Sequence, residues 1–495
     1  MIPQSVESQA SGQARIIEER LGGDHATSAN NQKEQVASGL SLTANFGWVI
    51  IAAAAFHLAY SASAASFLII LYLFALVQLS RNVSGRKAFY SGVTVGLFIA
   101  VERLDFLWKV FGGGCAALWL VYAFWIGLFP ALARVCWRRF GNTLGSLLIP
   151  FLWCGLEYFR SELYYLRFSW LSPGYAFALG LDFVPLNLMG TYGAGFLLAG
   201  IASIGTALCR KSEIRALITL CAGIGLVGLM GLASSHHNST APMTKVHVAG
   251  VQMEFPSEQE VLVRLNDLIR KYPKAELVVL SEYTFNDRVP EKVRNWCREH
   301  QRYLIVGGKD PAPGGNYYDT GFVVSPTGKI IFRQGKKVPI QFFKDGLPAV
   351  EQKLWNSPWG KIGICICYDL SYCRVTDRLV EMGAQALVVP TMDIVDWGKR
   401  QHELHARIAP IRAAEYGIPI FRVASSGISQ LVDSCGHTLA TAPFPGDGAM
   451  LSGVLEIRSM GHLPLDRGFA LVATCLSCLI ATLSLLRRNR RPNTP

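Results

Sequence analysis

Charged side chains are scarce: Asp, Glu, Lys and Arg make up 17% of the 495 residues, against 51% hydrophobic. That is too few for an ordinary soluble enzyme of this length, and it points to a membrane. A cleavable leader is also missing, because residues 1–40 are polar, rich in Ser, Gln, Asn, Gly and Glu, with no positive segment feeding a short apolar core. They read as a disordered tail. The chain has no internal repeat and no low-complexity tract beyond that tail. Lys and Arg number 47 against 35 Asp and Glu, a net charge of +12. They form no basic stripe with interleaved aromatics, which argues against a nucleic-acid partner. Cys475 and Cys478 have zinc-ligand spacing but no second ligand pair. Most of the other cysteines fall in or beside apolar runs, where a small buried hydrophobe is the ordinary reading. No metal and no cofactor are expected.

Long apolar stretches are what the chain does have. Seven lie between residues 41 and 235, at about 43–60, 62–80, 88–104, 113–133, 142–159, 186–208 and 215–234, and an eighth covers 468–486. Each approaches the length of about 17–25 residues that a helix needs to cross a bilayer. The third is the weakest, with Glu102 and Arg103 at its end. Basic residues follow the even-numbered stretches: Arg81, Arg86 and Lys87; Arg134, Arg138 and Arg139; Arg210, Lys211 and Arg215; Arg487, Arg488, Arg490 and Arg491. The positive-inside rule then puts those exits and both termini in the cytoplasm, and 240–465 on the far side. The expected organisation is a tail at 1–40, a seven-helix transmembrane region at 41–235, a soluble domain at 244–458, a C-terminal span at 467–487 and a basic tail at 488–495.

Residues 244–458 change character. Short apolar runs at 246–251, 277–280, 304–307, 321–325, 363–367, 386–389 and 418–423 alternate with polar, helix-length segments at 258–271, 290–301, 373–383 and 400–416. That pattern predicts a layered α/β domain. Candidate chemistry gathers where apolar runs end. Glu282 follows Glu276-Leu-Val-Val-Leu-Ser, Lys336 or Lys337 follows Lys329-Ile-Ile-Phe-Arg-Gln-Gly, and Cys367 closes Lys361-Ile-Gly-Ile-Cys-Ile-Cys. A carboxylate, an ammonium and a thiol can together perform acyl transfer through a covalent intermediate. Cys365, two residues earlier, is expected to point the same way one pleat back and to serve as core. His402 and His405 lack a third ligand and read as an ordinary helix face. Glu157 with Arg160 reads equally as a snorkelling or paired helix end or as a group with a lipid-head-group or lid-supporting role, next to the aromatic loop Phe168–Tyr175.

In this order, Ser281-Glu-Tyr-Thr, Gly335-Lys-Lys-Val-Pro and Cys365-Ile-Cys-Tyr-Asp-Leu resemble the nitrilase superfamily, whose triad is Glu-Lys-Cys. One such domain between spans seven and eight, with Pro150-Phe-Leu-Trp-Cys-Gly-Leu-Glu-Tyr-Phe-Arg160 and Phe168-Ser-Trp170 before it, is similar to the apolipoprotein N-acyltransferase family. The resemblance implies a multi-span α-helical membrane domain joined to an α-β-β-α sandwich. It implies catalytic Glu282, Lys336 and Cys367, the lysine being the one three residues before Pro339. Tyr368, Asp369 and Asp345 are the implied substrate-binding residues. The implied reaction takes a fatty acyl chain from a phospholipid, holds it as a thioester on Cys367, and passes it to the amine of a diacylglyceryl-cysteine lipoprotein. The implied setting is the bacterial inner membrane, with the catalytic domain periplasmic. Three departures bear on specificity: Lys344-Asp-Gly346 stands where the family has a second Glu, Asp369 where the acyltransferases usually carry Glu, and no Trp follows Val251-Gln-Met-Glu-Phe-Pro256. A membrane-tethered amidase that finishes with water is the alternative, and a non-catalytic scaffold a distant third.

Overall fold

The computed structural model describes residues 45–81, 83–179, 184–209, 213–235 and 243–488. The expectations for the tails and for Arg210 and Lys211 fall outside them. Helices α1 (Asn45–Ser61), α2 (Leu68–Leu79), α3 (Gly85–Arg103), α4 (Phe106–Phe111), α5 (Cys115–Tyr158), α6 (Leu186–Cys209) and α7 (Glu213–Ser235) precede the α/β domain. The expected fourth and fifth spans form one helical segment, α5, broken at Gly141, whose φ of 70° and ψ of −172° leave the helical region. Among the described residues, three segments are long and apolar enough to cross a membrane: Phe106–Leu163, Leu186–Cys209 and Asp466–Leu486. Asn45–Ser61, Ser63–Leu79 and Leu217–Gly231 are apolar but shorter. In α3, Arg86, Lys87, Glu102 and Arg103 dilute the apolar stretch.

The α/β domain is a sandwich of two six-stranded sheets. The first sheet holds β1 (Thr244–Val251), β2 (Leu277–Val279), β3 (Tyr303–Pro311), β4 (Tyr317–Val324) and β5 (Ile330–Gly335). The second holds β6 (Leu354–Ser357), β7 (Gly360–Ile364), β8 (Ala386–Thr391), β9 (Ile420–Ala424), β10 (Ser429–Val432) and β11 (Thr438–Ala442). β12 (Met450–Ile457) returns to pair antiparallel with β1, from Thr244 opposite Ile457 to Val251 opposite Met450. The middle of each sheet is parallel, β1 with β2 with β3 and β7 with β8 with β9. Parallel strands covered on both faces carry near-continuous apolar runs, which is why these segments stood out in the sequence. Val246, Val248, Leu277 and Val279 of one sheet meet Ile362, Ile364, Val388 and Phe421 of the other in the central core.

Helices α8 (Glu258–Lys271) and α9 (Glu291–His300) cover the first sheet; α10 (Cys373–Glu381), α11 (Lys399–Ala406) and α12 (Ile408–Tyr416) lie on the side of the second. The expected single helix at 400–416 is therefore two. The two outer layers differ. Leu379, Ile408, Ala409, Ile411 and Tyr416 belong to a hydrophobic cluster that runs without interruption into α1, α2, α5 and α6. Helix α13 (Asp466–Arg488) then packs back along α5 and α6.

Candidate active site

Cys367 follows β7, whose Ile362 and Ile364 are buried between the sheets. The strand ends at Ile364, and the chain turns so that Cys367 adopts φ +50°, a left-handed conformation uncommon for a residue with a Cβ. Asp369 holds this turn: its carboxylate accepts from the backbone N–H groups of Lys337 at 3.0 Å, Val338 at 2.7 Å and Ile366 at 3.4 Å. The turn also overturns the expected common orientation of the two cysteines. Cys365 packs into the cluster on the helix side, whereas Cys367 sits with the core between the sheets.

Glu282 follows β2, and the next residue, Tyr283, also has φ +50°. Its backbone lies so close to β3 that a Cβ on Gly307 would fall 2.5 Å from Glu282 Cα. Lys336 follows β5, fully buried, and its Nζ lies 2.7 Å from Glu282 Oε1, 2.7 Å from Asp345 Oδ2 and 3.4 Å from Asp319 Oδ2. Lys337 points elsewhere, donating from Nζ to the carbonyls of Ala349 and Val350 at 2.9 Å. The residue after β8 links the parts: the Met392 N–H donates to Glu282 Oε2 at 2.6 Å, and its carbonyl accepts from Cys367 Sγ at 3.5 Å.

Three carboxylates, Glu282, Asp319 and Asp345, thus lie within 4.8 Å of one another, and the cation among them is the Lys336 ammonium. Burial alone would lower the Lys336 pKa, but Glu282 and then Asp345 hold it well above its usual value, so it stays charged. Burial would raise Glu282, yet the facing ammonium brings it below the ordinary carboxylate range. Asp319 goes the other way: burial, then the neighbouring Glu282 charge, push it well above its usual value. Cys367 is raised by burial and then by Glu282, so its resting state is a thiol beside an ionised carboxylate. That arrangement calls for a general base at Glu282 rather than a preformed thiolate.

Asp345, expected to touch substrate, is occupied by Lys336, the Tyr283 hydroxyl at 2.8 Å and the Ile340 N–H at 2.6 Å. Asp369, with a pKa pushed up to about 6 chiefly by burial, serves the backbone amides. Tyr368 does line open space, in edge contact with Trp170 at 5.9 Å between ring centres. That space is an open cavity reaching from Cys367 to the membrane helices, walled by Phe106, Val110, Tyr122, Trp125 and Trp170. The loop carrying Trp170 is tied to the turn after Cys367, because Trp170 Nε1 donates to Ser371 Oγ at 3.0 Å and Ser169 Oγ to Ser371 O at 3.2 Å.

The sequence reading missed Asp319, the Met392 backbone and the setting of the two histidines. His402 and His405 are buried rather than on an outer helix face. His405 Nδ1 lies 2.7 Å from Asp393 Oδ1, and Arg422 donates to the other Asp393 oxygen at 2.5 Å. A charged residue inside the otherwise uncharged run Tyr317–Val324 was the one available signal for Asp319. Glu157 and Arg160 do not form a close pair; Arg160 Nη1 donates to the Phe168 carbonyl at 2.8 Å.

Comparison with known proteins gives two adjoining matches. Residues 46–204 match the apolipoprotein N-acyltransferase N-terminal domain and residues 247–451 the carbon-nitrogen hydrolase family. An apolipoprotein N-acyltransferase of Geobacter metallireducens is 26% identical over 429 residues, 76% of this chain and 80% of that one. That of Shewanella oneidensis is 22% identical over 452 residues, 78% of this chain and 86% of that one. Among solved structures, Saccharomyces cerevisiae Nit3 of the nitrilase superfamily covers 45% of this chain and 92% of its own, at 20% identity and a TM-score of 0.37. With both halves matched in one order, and curated relatives aligned across the junction between them, the chain belongs to the apolipoprotein N-acyltransferase family of carbon-nitrogen hydrolases.

Proposed function

We propose that Glu282, Lys336 and Cys367 carry out the N-acyl transfer, moving a fatty acyl chain from a phospholipid to the N-terminal amine of a diacylglyceryl-cysteine lipoprotein. The observation that carries this reading is the cavity: an apolar space shared between membrane helices and catalytic domain, with a thiol at one end. In the first half-reaction Glu282 takes the Cys367 proton as sulfur attacks the ester carbonyl. The Lys336 ammonium, already beside Glu282, faces the charge that develops on the carbonyl oxygen. Glu282 returns the proton to the departing glycerol oxygen, and a lysophospholipid leaves. In the second half-reaction the lipoprotein amine attacks the thioester, sulfur departs and regains a proton through Glu282, and the other proton of the entering ammonium goes to solvent. Aromatic and aliphatic walls exclude the water that would otherwise hydrolyse the thioester.

Localisation follows the same reading. This is a membrane protein, and the clusters Arg81, Arg86, Lys87 and Arg134, Arg138, Arg139 favour a cytoplasmic face for those loops. The α/β domain is then periplasmic and bound to the inner membrane, where both lipid-anchored substrates reach it without leaving the bilayer. The amidase reading is not favoured, because a small soluble amide gives no use to the matched membrane segment.

Intact-mass measurement of the purified full chain after incubation with phospholipid, then with a diacylated lipopeptide, tests the proposal. A fatty-acyl adduct is expected on the wild type, discharged onto the peptide amine and absent in Cys367→Ala. An adduct that decays equally fast without peptide would mean a hydrolase instead.

A further inference from the structure

Two of the fully buried arginines pair with carboxylates, Arg412 with Glu415 at 2.5 Å and Arg422 with Asp393 at 2.5 Å. Two arginines in the wall of the Cys367 cavity, buried Arg160 and half-buried Arg167, have no such carboxylate among the described residues. Arg160 is 5% exposed, and among the described residues its guanidinium has one hydrogen bond, to the Phe168 carbonyl, and lies 5.2 Å from the Tyr122 ring centre. Arg167 has no hydrogen bond or ion pair among the described residues; it lies 5.2 Å from the Tyr372 ring centre, and its Nε is buried without a partner. A third guanidinium, Arg374, lies 5.3 Å from the same ring. Among the described residues, neither of the nearest carboxylates in sequence makes a hydrogen bond or close ion pair with them. Glu157 has no hydrogen-bond partner among the described residues, and Glu162 accepts from the Tyr192 hydroxyl at 2.8 Å and the Cys373 N–H at 3.1 Å.

Unpaired cations held out of water are costly unless an anion completes them. These two are also built into place, because the Arg160 bond to Phe168 closes the short loop that carries Arg167. The loop leaves the end of α5, at the level where a membrane helix meets lipid head groups. The geometry points to Arg160 and Arg167 as the subsite for the phosphate of the acyl donor, with the acyl chain on the apolar wall and its ester at Cys367. Guanidinium groups suit this task through paired, charge-assisted hydrogen bonds to phosphate oxygens. The inference rests on the proposed function and deepens it. A diacylglyceryl-cysteine acceptor has no phosphate, so the subsite acts on the first half-reaction alone.

The test uses the full chain in detergent and follows formation of the Cys367 thioester by intact mass, from phosphatidylglycerol micelles and from p-nitrophenyl palmitate, which has no phosphate. Losing one charge-assisted contact predicts that Arg167→Gln lowers the ratio of loading from phospholipid to loading from the neutral ester about tenfold. Arg167→Lys, which keeps the charge without the fork, is expected to recover part of it. Equal loss with both donors, or an unchanged ratio, would overturn the subsite. Inhibition of wild-type phospholipid loading by low-millimolar inorganic phosphate, absent in Arg167→Gln, would make it a site for free anions and overturn the lipid assignment. If the wild type loads from p-nitrophenyl palmitate but never from phospholipid, the donor reading itself fails, and this inference with it.

Discussion

Helices α8 and α12 occupy equivalent outer layers on the two sheets, yet they bury different things. Helix α8 hides Val261, Leu265 and Leu268 and turns the rest to solvent, with exposed pairs such as Arg270 with Asp267 at 3.4 Å. In α12 all nine residues are buried, including Arg412 and Glu415. Those two charges join a network that crosses to the membrane helices: the Thr191 N–H and hydroxyl each donate to Glu415 at 2.6 Å, and Arg467 of α13 reaches Glu415 and Asp377. The same architectural layer is a solvent coat on one side and a polar lock to the membrane domain on the other. Cys367 belongs to the sheet on the locked side, and Glu282 and Lys336 to the sheet on the solvated side.

Breaking the lock has the largest expected effect. Arg412→Met leaves Glu415 buried with less compensation and is expected to destabilise the chain by about 3–5 kcal/mol, read as a lowered thermal midpoint in detergent. Gly307→Ala strikes the solvated sheet at the site itself. With Glu282 Cα 2.5 Å from the new Cβ, a cost of about 1–3 kcal/mol and a fall in thioester formation are expected.

Asp319→Asn sharpens the contrast by removing a titratable group without changing shape. Asp319 has a raised pKa when folded, through burial and then Glu282. Above the ordinary carboxyl pKa of about 3.9 the folded chain therefore holds a proton that the unfolded chain has released. Its contribution to stability accordingly falls as pH rises from there. The Asn variant should melt higher than the wild type near neutral pH, with the gap closing toward pH 4. A gap that stays constant with pH would show that Asp319 is not protonated in the fold. The smallest effect is expected on α8: Asp267→Ala, removing one exposed pair, should shift stability by no more than about 0.5 kcal/mol in a melting curve.

What was legible in the sequence was whatever follows from strand ends. Glu282 and Cys367 stand where buried parallel strands reach the surface of the sandwich, and such strands write themselves as apolar runs. Lys336 could be narrowed to two neighbours but not chosen from the residues alone, because the choice depends on which of them turns inward after β5. Asp319 sits within β4, where pattern predicts a core residue, and its meaning comes only from Lys336, seventeen positions away in the chain. The alternation rule failed for Cys365 and Cys367 because the strand stops at Ile364, before both of them, and the chain reaches positive φ at Cys367. His402 and His405 misled for a related reason: Asp393 follows the end of β8 and Arg422 lies in the middle of β9, so their partners come from two other strands.

The two hydrogen bonds from Ser169 and Trp170 to Ser371 make the membrane half part of the scaffold for the reaction centre. An excised 244–458 fragment would keep Glu282, Lys336 and Cys367 and lose the outside brace on the turn that holds Cys367 at positive φ. The anchor and the enzyme are therefore not modules that can be exchanged separately: grafting this sandwich onto a different membrane stem would carry over the reagents without the jig that aligns them.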